Sequence, residues 1–198
     1  MKANSGFKSP SWDHIYQLLI EISEKIKRSG FDPDLIVGIS RGGWTPARVL
    51  SDLLDNPNIA SIRVEFYLDI KKPSDKPVIT QPVSAPVDGM RVLVVDDVVD
   101  TGKSLKLVFD TLSKQANEVK TVALYCKPWS TFRPDFYARE TEAWVIFPWE
   151  RYETVKKLGN RMLQEGRDLS KIEAVLIEVG LEPMIVKRFV EEIFGNKR

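Results

Sequence analysis

The chain has 198 residues, which is enough for one α/β domain and an appendage but not for two full domains. Its 29 Lys and Arg residues balance 28 Asp and Glu residues, which disfavours a nucleic-acid binder that relies on a strong overall positive field and leaves a local basic site open. Hydrophobic residues make up 43% of the chain, so a packed core is expected, while a single Cys and a single His exclude intrachain disulfides, Cys-rich zinc sites and His-based metal sites.

The composition also indicates the compartment. A lone cysteine is typical of proteins in a reducing environment. No apolar run approaches the roughly 18 residues that span a bilayer, and residues 1–10 lack the apolar stretch of a secretory signal. We therefore expect a cytoplasmic protein that has neither a membrane nor a nucleic acid as its partner.

The first part of the chain alternates helical and strand patterns. Apolar residues three and four apart predict a helix from Trp12 to Ile26, which Gly30 ends. Short apolar runs predict strands at Leu35–Ile39, Ile62–Phe66, Val92–Val95 and Val119–Leu124, with helices at Pro46–Leu54 and Leu105–Leu112. This alternation predicts an α/β fold with a central parallel sheet flanked by helices. Val92–Val95 is apolar on both faces and is expected to be a central strand.

The pattern fails between residues 68 and 89. Prolines and lysines occur together there in a polar stretch, at Pro73, Pro77, Pro82, Pro86, Lys71, Lys72 and Lys76. A loop this long inside a compact domain is usually functional or mobile. We interpret it as a lid with a short hairpin inside it; the alternative is a solvated excursion without a role.

Helix-forming residues dominate after Trp149. Three apolar stripes predict three helices, with Asp168 or Ser170 as a cap, Gly180 as a stop and Glu182-Pro183 as the last start. We therefore divide the chain into a domain at 1–152 and a helical extension at 153–198. The extension carries no chemical motif, and its expected task is packing or contact within a homo-oligomer, a dimer or tetramer.

The strongest chemical signal is the segment Val92–Leu105. A buried strand ends in Asp96 and Asp97, and ligands of open α/β sheets bind beyond the carboxyl ends of the strands. A helix then opens with Thr101, Gly102, Lys103 and Ser104. Backbone amides and the positive end of a helix dipole favour a phosphate at such a start.

The carboxylates beside this anion pocket need hydroxyls, a cation or a proton as partners. A nucleoside-triphosphate P-loop is excluded, because its first glycine would fall at Asp97. A sugar monophosphate meets these constraints better: its phosphate would bind the helix start and its ring hydroxyls would bind Asp96 and Asp97. Asp100 would then lie near the reacting centre as a proton acceptor.

Val92–Leu105 resembles the phosphoribosyl pyrophosphate (PRPP) motif of the type I phosphoribosyltransferases, in which four apolar residues, an acidic pair and two apolar residues precede Asp-Thr-Gly-x-Ser/Thr. The resemblance implies that family's fold, a central parallel sheet flanked by helices with a small hood. It also implies Mg²⁺ as a cofactor, with Asp97 helping to place the metal, and it puts Asp100 near N7 of a purine.

A second strand end carries Ser40, Arg41, Gly42 and Gly43. Adjacent glycines let backbone amides approach an anion closely, and Arg41 adds a forked positive charge. This stretch is similar to the family's pyrophosphate loop, which implies a cis or strained peptide between Ser40 and Arg41.

The third constellation is Lys127-Pro128 together with the segment Ala143–Glu150. Both are similar to the bacterial xanthine-guanine type among the 6-oxopurine enzymes. That similarity implies that Lys127 donates to O6 of the base, that Trp144 stacks on the ring and that the Val145 carbonyl accepts from the exocyclic amine. Tyr67 falls where related enzymes carry a lid tyrosine.

The resemblance covers Leu35–Glu150 and implies a purine salvage enzyme. Such an enzyme transfers the phosphoribosyl group of PRPP to guanine, xanthine or hypoxanthine and releases pyrophosphate. One alternative is a regulator that binds PRPP without catalysis, although no helix-turn-helix precedes Leu35. Another is a pyrimidine or amino-transfer member of the superfamily, which Lys127 and Trp144 disfavour.

Overall fold

The computed structural model describes residues 6–69 and 72–195, with the side chains of residues 67–69 and 72–75 excepted. The chain forms two compact units. One is Ile15–Thr141, and the other combines Met1–His14 with Glu142–Arg198.

The unit Ile15–Thr141 contains a six-stranded sheet of order β4-β3-β2-β5-β6-β7. The strands are β2 (Leu35–Ser40), β3 (Ile59–Asp69), β4 (Lys72–Gln81), β5 (Arg91–Val99), β6 (Glu118–Cys126) and β7 (Phe136–Glu140). All neighbours pair in parallel except β3 and β4. The prediction of a central strand at Val92–Val95 is confirmed, because β5 pairs with β2 on one side and β6 on the other.

Helices cover this sheet on both faces. They are α1 (Trp12–Ser29), α2 (Trp44–Leu53) and α3 (Lys103–Leu112). Gly38 of β2 faces Ala47 of α2, whereas its neighbour Val37 belongs to the core cluster that contains Val108 of α3. Since successive strand residues point to opposite faces, α2 and α3 lie on opposite sides. The predicted helix-flanked sheet is therefore confirmed, and Gly30, with φ of +76°, follows the end of α1 as predicted.

The predicted loop at 68–89 is wrong in its first part, because β3 and β4 form an antiparallel hairpin. The hairpin expected inside the loop is confirmed and is longer than expected. The prolines are the reason that the sequence pattern indicated a loop. Pro73 and Pro77 nevertheless lie in β4, where they pair with Leu68 and Phe66. β4 is an edge strand, and an edge strand tolerates prolines because half of its N–H groups need no partner in the sheet.

The other unit has a small helical core. Its elements are β1 (Phe7–Lys8), β8 (Trp144–Val145), a 3₁₀ turn (Pro148–Glu150), α4 (Arg151–Gln164), α5 (Leu169–Glu178) and α6 (Pro183–Phe194). The three predicted helices are present, and Asp168 caps α5 by accepting a hydrogen bond from the Lys171 amide at 2.8 Å. Buried apolar residues from every helix pack together, among them Val155, Ile172 and Phe194.

This unit begins before the boundary that the sequence indicated at 152. The short strands β1 and β8, which pair in parallel, lie within residues 1–152 of the sequence-based division but belong to the same compact unit as α4, α5 and α6. A functional boundary at residue 152 stays a prediction. Within residues 6–69 and 72–195, no helix has both the length and the hydropathy that a bilayer span requires.

Candidate active site

The turn between β5 and α3 forms one wall of a cavity of about 320 Å³, which is lined by Phe66, Asp96 and residues 98–105. The wall therefore contains Asp100, Thr101, Gly102, Lys103 and Ser104, and their binding of PRPP stays a prediction. Gly102 has a φ of +83°, a conformation that side chains other than glycine rarely adopt. The turn delivers the N-terminus of α3 to the cavity, where the positive end of the helix dipole and the amides of the first turn can bind an anion.

Asp96 and Asp97 form an adjacent acidic pair near the carboxyl end of β5, which continues past them to Val99, whereas the sequence predicted that the strand ends at the pair. The Asp97 amide donates to Asp96 Oδ1 at 3.0 Å, and the Val98 amide donates to Asp97 Oδ1 at 2.8 Å. Burial raises the pKa of Asp96 well above its usual value, and the neighbouring Asp97 charge raises it further. Two adjacent carboxyl groups in this state favour partners that donate hydrogen bonds or carry positive charge.

The loop after β2 abuts this pair. The Ser40–Arg41 peptide bond is cis, as the resemblance implied. Gly43 lies against the backbone of β5, because a Cβ there would be 2.9 Å from the Asp96 Cα. A Cβ on Gly42 would collide with the Asp97 carboxylate. Both glycines therefore allow the loop to approach the acidic pair, and the ends of β2 and β5 form one continuous surface.

Lys127 begins the loop that follows β6, and only 6% of its surface is exposed. Its amide donates to the Val99 carbonyl at 2.9 Å, which ties the loop to the end of β5. The parallel register of the two strands explains this contact, since Val99 is paired with Cys126. Lys127 is therefore brought to the same end of the sheet as Asp100.

Trp129 is a site residue that sequence reasoning missed. Its indole Nε1 donates to Asp100 Oδ1 at 2.8 Å, and its ring centroid lies 5.4 Å from Lys127 Nζ. A tryptophan two residues after a lysine at a strand's carboxyl end was the only signal. The contact with Asp100 depends on the strand register, which the sequence pattern does not reveal.

Trp144, Val145 and Tyr67 are the remaining predicted site residues. Trp144 and Val145 belong to the unit that contains the helical core, where Trp144 pairs with Phe7 and is 63% exposed. Stacking of Trp144 on a base and acceptance by the Val145 carbonyl stay predictions. Tyr67 lies in β3, but its side chain is outside the described residues, so its role in a lid also stays a prediction.

A family model named phosphoribosyl transferase domain matches residues 11–153 of this chain. The chain belongs to the phosphoribosyltransferase family. The predicted type I phosphoribosyltransferase fold is confirmed, and helices α5 and α6 lie beyond the matched residues.

Named relatives of this phosphoribosyltransferase are purine enzymes. The xanthine-guanine phosphoribosyltransferase of Cereibacter sphaeroides is 34% identical over 146 residues, which cover 71% of this chain and 84% of the relative. The structure of a purine phosphoribosyltransferase from Pyrococcus horikoshii superposes with a TM-score of 0.66 at 38% identity, over 73% of this chain and 93% of that one.

A further solved structure shares the fold. The xanthine-guanine-hypoxanthine phosphoribosyltransferase of Helicobacter pylori matches with a TM-score of 0.67 at 22% identity, covering 76% of this chain and 99% of that one.

Proposed function

We propose that this phosphoribosyltransferase transfers the 5-phosphoribosyl group of PRPP to a 6-oxopurine and releases pyrophosphate. The observation that carries the proposal is the joining of two loops at adjacent strand ends. The acidic pair and the start of α3 supply contacts for a ribose and its 5′-phosphate, and the loop with Gly42 supplies contacts for a diphosphate. Lys127 and Asp100 lie at the same end of the sheet and supply contacts for a base.

In this reaction the bond between C1′ of the ribose and the pyrophosphate oxygen breaks, and its electron pair leaves with pyrophosphate. A bond from N9 of the base to C1′ forms, and the proton that the base loses passes to Asp100. Arg41 and the Gly42 amide stabilise the negative charge on the leaving group, whereas the Gly43 amide donates to the Ile39 carbonyl at 2.8 Å. Asp96 and Asp97 hold the ribose hydroxyls while positive charge develops on the sugar.

The residues fit a Mg²⁺ ion. Mg²⁺ is usually bound through one or two carboxylates together with substrate phosphates, and Asp97 with Asp96 provides such a pair. No cluster of three or more metal-ligating side chains occurs among the residues that the structure describes, so the substrate would complete the coordination. When bound, the ion neutralises charge on the diphosphate.

The assay that tests the proposal combines the purified protein, PRPP and Mg²⁺ with guanine, xanthine, hypoxanthine or adenine, and follows nucleotide formation by absorbance. We expect turnover of 6-oxopurines and a kcat/KM for adenine at least about 1000-fold lower, because Lys127 donates to an oxo group but opposes an amino group. The order of preference among the 6-oxopurines emerges from the same assay. PRPP binding without turnover of any base would contradict catalysis and support a regulator.

Replacing Lys127 with Met tests base recognition. Met keeps the length of the buried side chain but cannot donate to O6, so we expect kcat/KM for guanine to fall by about 10- to 100-fold. Lys120→Met is the matched control, because Lys120 lies on β6, the strand that precedes Lys127, and pairs with Glu118 and Asp135. If Lys127→Met retains the kcat/KM of the unaltered protein, Lys127 does not bind the base.

The sequence predicted a lid over the active site at residues 68–89. We propose that the β3–β4 hairpin covers the site during transfer and so excludes water from the activated sugar.

A dimer or tetramer stays a prediction, and light scattering of the purified protein tests it.

A further inference from the structure

Trp129 contacts both groups that the proposed function assigns to the reacting edge of the base. We propose that Trp129 is a positioning residue, which holds the Asp100 carboxylate and the Lys127 ammonium in one arrangement for recognition of a 6-oxopurine. This inference rests on the proposed function and adds a residue that neither the PRPP motif nor the transfer chemistry requires.

The backbone around Trp129 is fixed against the end of β5 and the turn that follows it. The Ser130 amide donates to the Lys127 carbonyl at 3.1 Å, which closes a turn around Trp129. The Thr131 amide and hydroxyl both donate to the Thr101 carbonyl, at 3.2 and 2.9 Å. Trp129 thus lies between two anchored points. Its side chain is 52% exposed although the loop that carries it is anchored on both sides.

The indole orients the carboxylate of Asp100. Trp129 Nε1 donates to Oδ1 at 2.8 Å, within the range of a good hydrogen bond. A carboxylate has two oxygens, so this contact occupies Oδ1 and leaves Oδ2 as the acceptor for a substrate proton. Asp100 is solvent-exposed. A side chain at such a position needs a partner of this kind to keep one rotamer.

The same ring contacts the lysine. Lys127 Nζ lies 5.4 Å from the ring centroid, a distance at which an ammonium group is attracted to an aromatic face. In a 6-oxopurine, O6 and N7 lie side by side on one edge. An enzyme that reads this edge needs a donor for O6 and an acceptor near N7 at a fixed spacing. Trp129 contacts both this donor and this acceptor.

Two variants separate the contacts of Trp129. Trp129→Phe keeps an aromatic ring for Lys127 and removes the donor to Asp100, whereas Trp129→Leu removes both. With saturating PRPP and Mg²⁺, we expect Trp129→Phe to lower kcat by about tenfold with little change in the KM for guanine. We expect Trp129→Leu to lower kcat similarly and also to raise the KM for guanine by about three- to tenfold. Neither variant is expected to change the KM for PRPP.

Trp12→Phe is the matched control. Trp12 is also 52% exposed and packs against Trp149, with ring centroids 5.6 Å apart. Within the described part of the chain, Asp100 and Lys127 contact Trp129 and not Trp12 through a hydrogen bond and a cation–π pair. The kcat and KM of Trp12→Phe should equal those of the unaltered protein. Thermal unfolding of all variants verifies that kinetic changes do not arise from loss of the fold.

A spectroscopic measurement tests the contact without catalysis. The chain has five tryptophans and thus five indole N–H resonances, and Trp129→Phe identifies the one that belongs to Trp129. We expect this resonance to move in Asp100→Ala and on addition of guanosine 5′-monophosphate, while that of Trp12 stays in place. A Trp129 resonance that is unchanged by both would overturn the inference.

The kinetic outcomes distinguish the inference from the function on which it rests. If the unaltered protein transfers no 6-oxopurine, the proposed function fails and the inference fails with it. If the unaltered protein is active and Trp129→Phe stays within about twofold of its kcat and KM, only the role of Trp129 is overturned.

Discussion

Replacing Asp100 with Asn lowers kcat for transfer to guanine by about 100-fold or more, because an amide cannot accept the proton that the base loses. The fold should be retained. Asn is nearly isosteric with Asp, and its side-chain oxygen can still accept the hydrogen bond from the Trp129 indole that Asp100 Oδ1 accepts at 2.8 Å. The variant therefore removes proton acceptance and keeps the side chain in position.

Steady-state kinetics at saturating PRPP measures this effect. Asp110→Asn is the control, since Asp110 lies on the exposed surface of α3 and pairs only with Lys106 among the recorded ion pairs of the described residues. The double variant Asp100→Asn/Trp129→Phe should have a kcat within about twofold of the kcat of Asp100→Asn alone, because the two residues act through one carboxylate. A kcat for Asp100→Asn equal to that of the unaltered protein would remove Asp100 from the mechanism.

Replacing Gly42 with Ala weakens binding of PRPP in the presence of Mg²⁺ by about 100-fold. The added Cβ would collide with the Asp97 carboxylate, so either the loop after β2 or the carboxylate must move. Either movement separates contacts for the diphosphate from contacts for the ribose, and an error of about 1 Å in such a site costs about this much. Calorimetric titration of PRPP measures the change.

Gly6→Ala is the control for Gly42→Ala, because a Cβ on Gly6 would meet no atom within 4 Å. It should bind PRPP as the unaltered protein does. The melting temperature of Gly42→Ala is measured alongside, because Asp97 is only 8% exposed and its displacement is also expected to lower the stability of the fold. PRPP affinity that is unchanged in Gly42→Ala would show that the β2 loop does not contact the ligand.

The sequence predicted the elements whose residues are buried in a regular pattern. β5 is apolar on both faces along Val92–Val95, and α1 carries one apolar stripe, so both were found close to their true positions. β7 and the short strands β1 and β8 were missed. Their residues show no clear alternation, and they exist because a neighbouring strand supplies hydrogen bonds.

The local parts of the site were also predictable. Asp96, Asp97 and residues 100–104 follow one another along the chain, so their proximity at the start of α3 needs only a strand, a turn and a helix. The contact between Trp129 and Asp100 joins residues 29 positions apart and depends on which residues of β5 and β6 are paired. No pattern within a single segment contains that information.

A crystal structure with bound guanosine 5′-monophosphate, the product of transfer to guanine, tests most directly whether these strand ends hold a phosphoribosyl group. We predict that the 5′-phosphate accepts hydrogen bonds from the amides at Thr101–Ser104 and that the ribose hydroxyls contact Asp96 and Asp97. A nucleotide bound at another surface, or one whose ribose points away from both carboxyl groups, would contradict the proposed function.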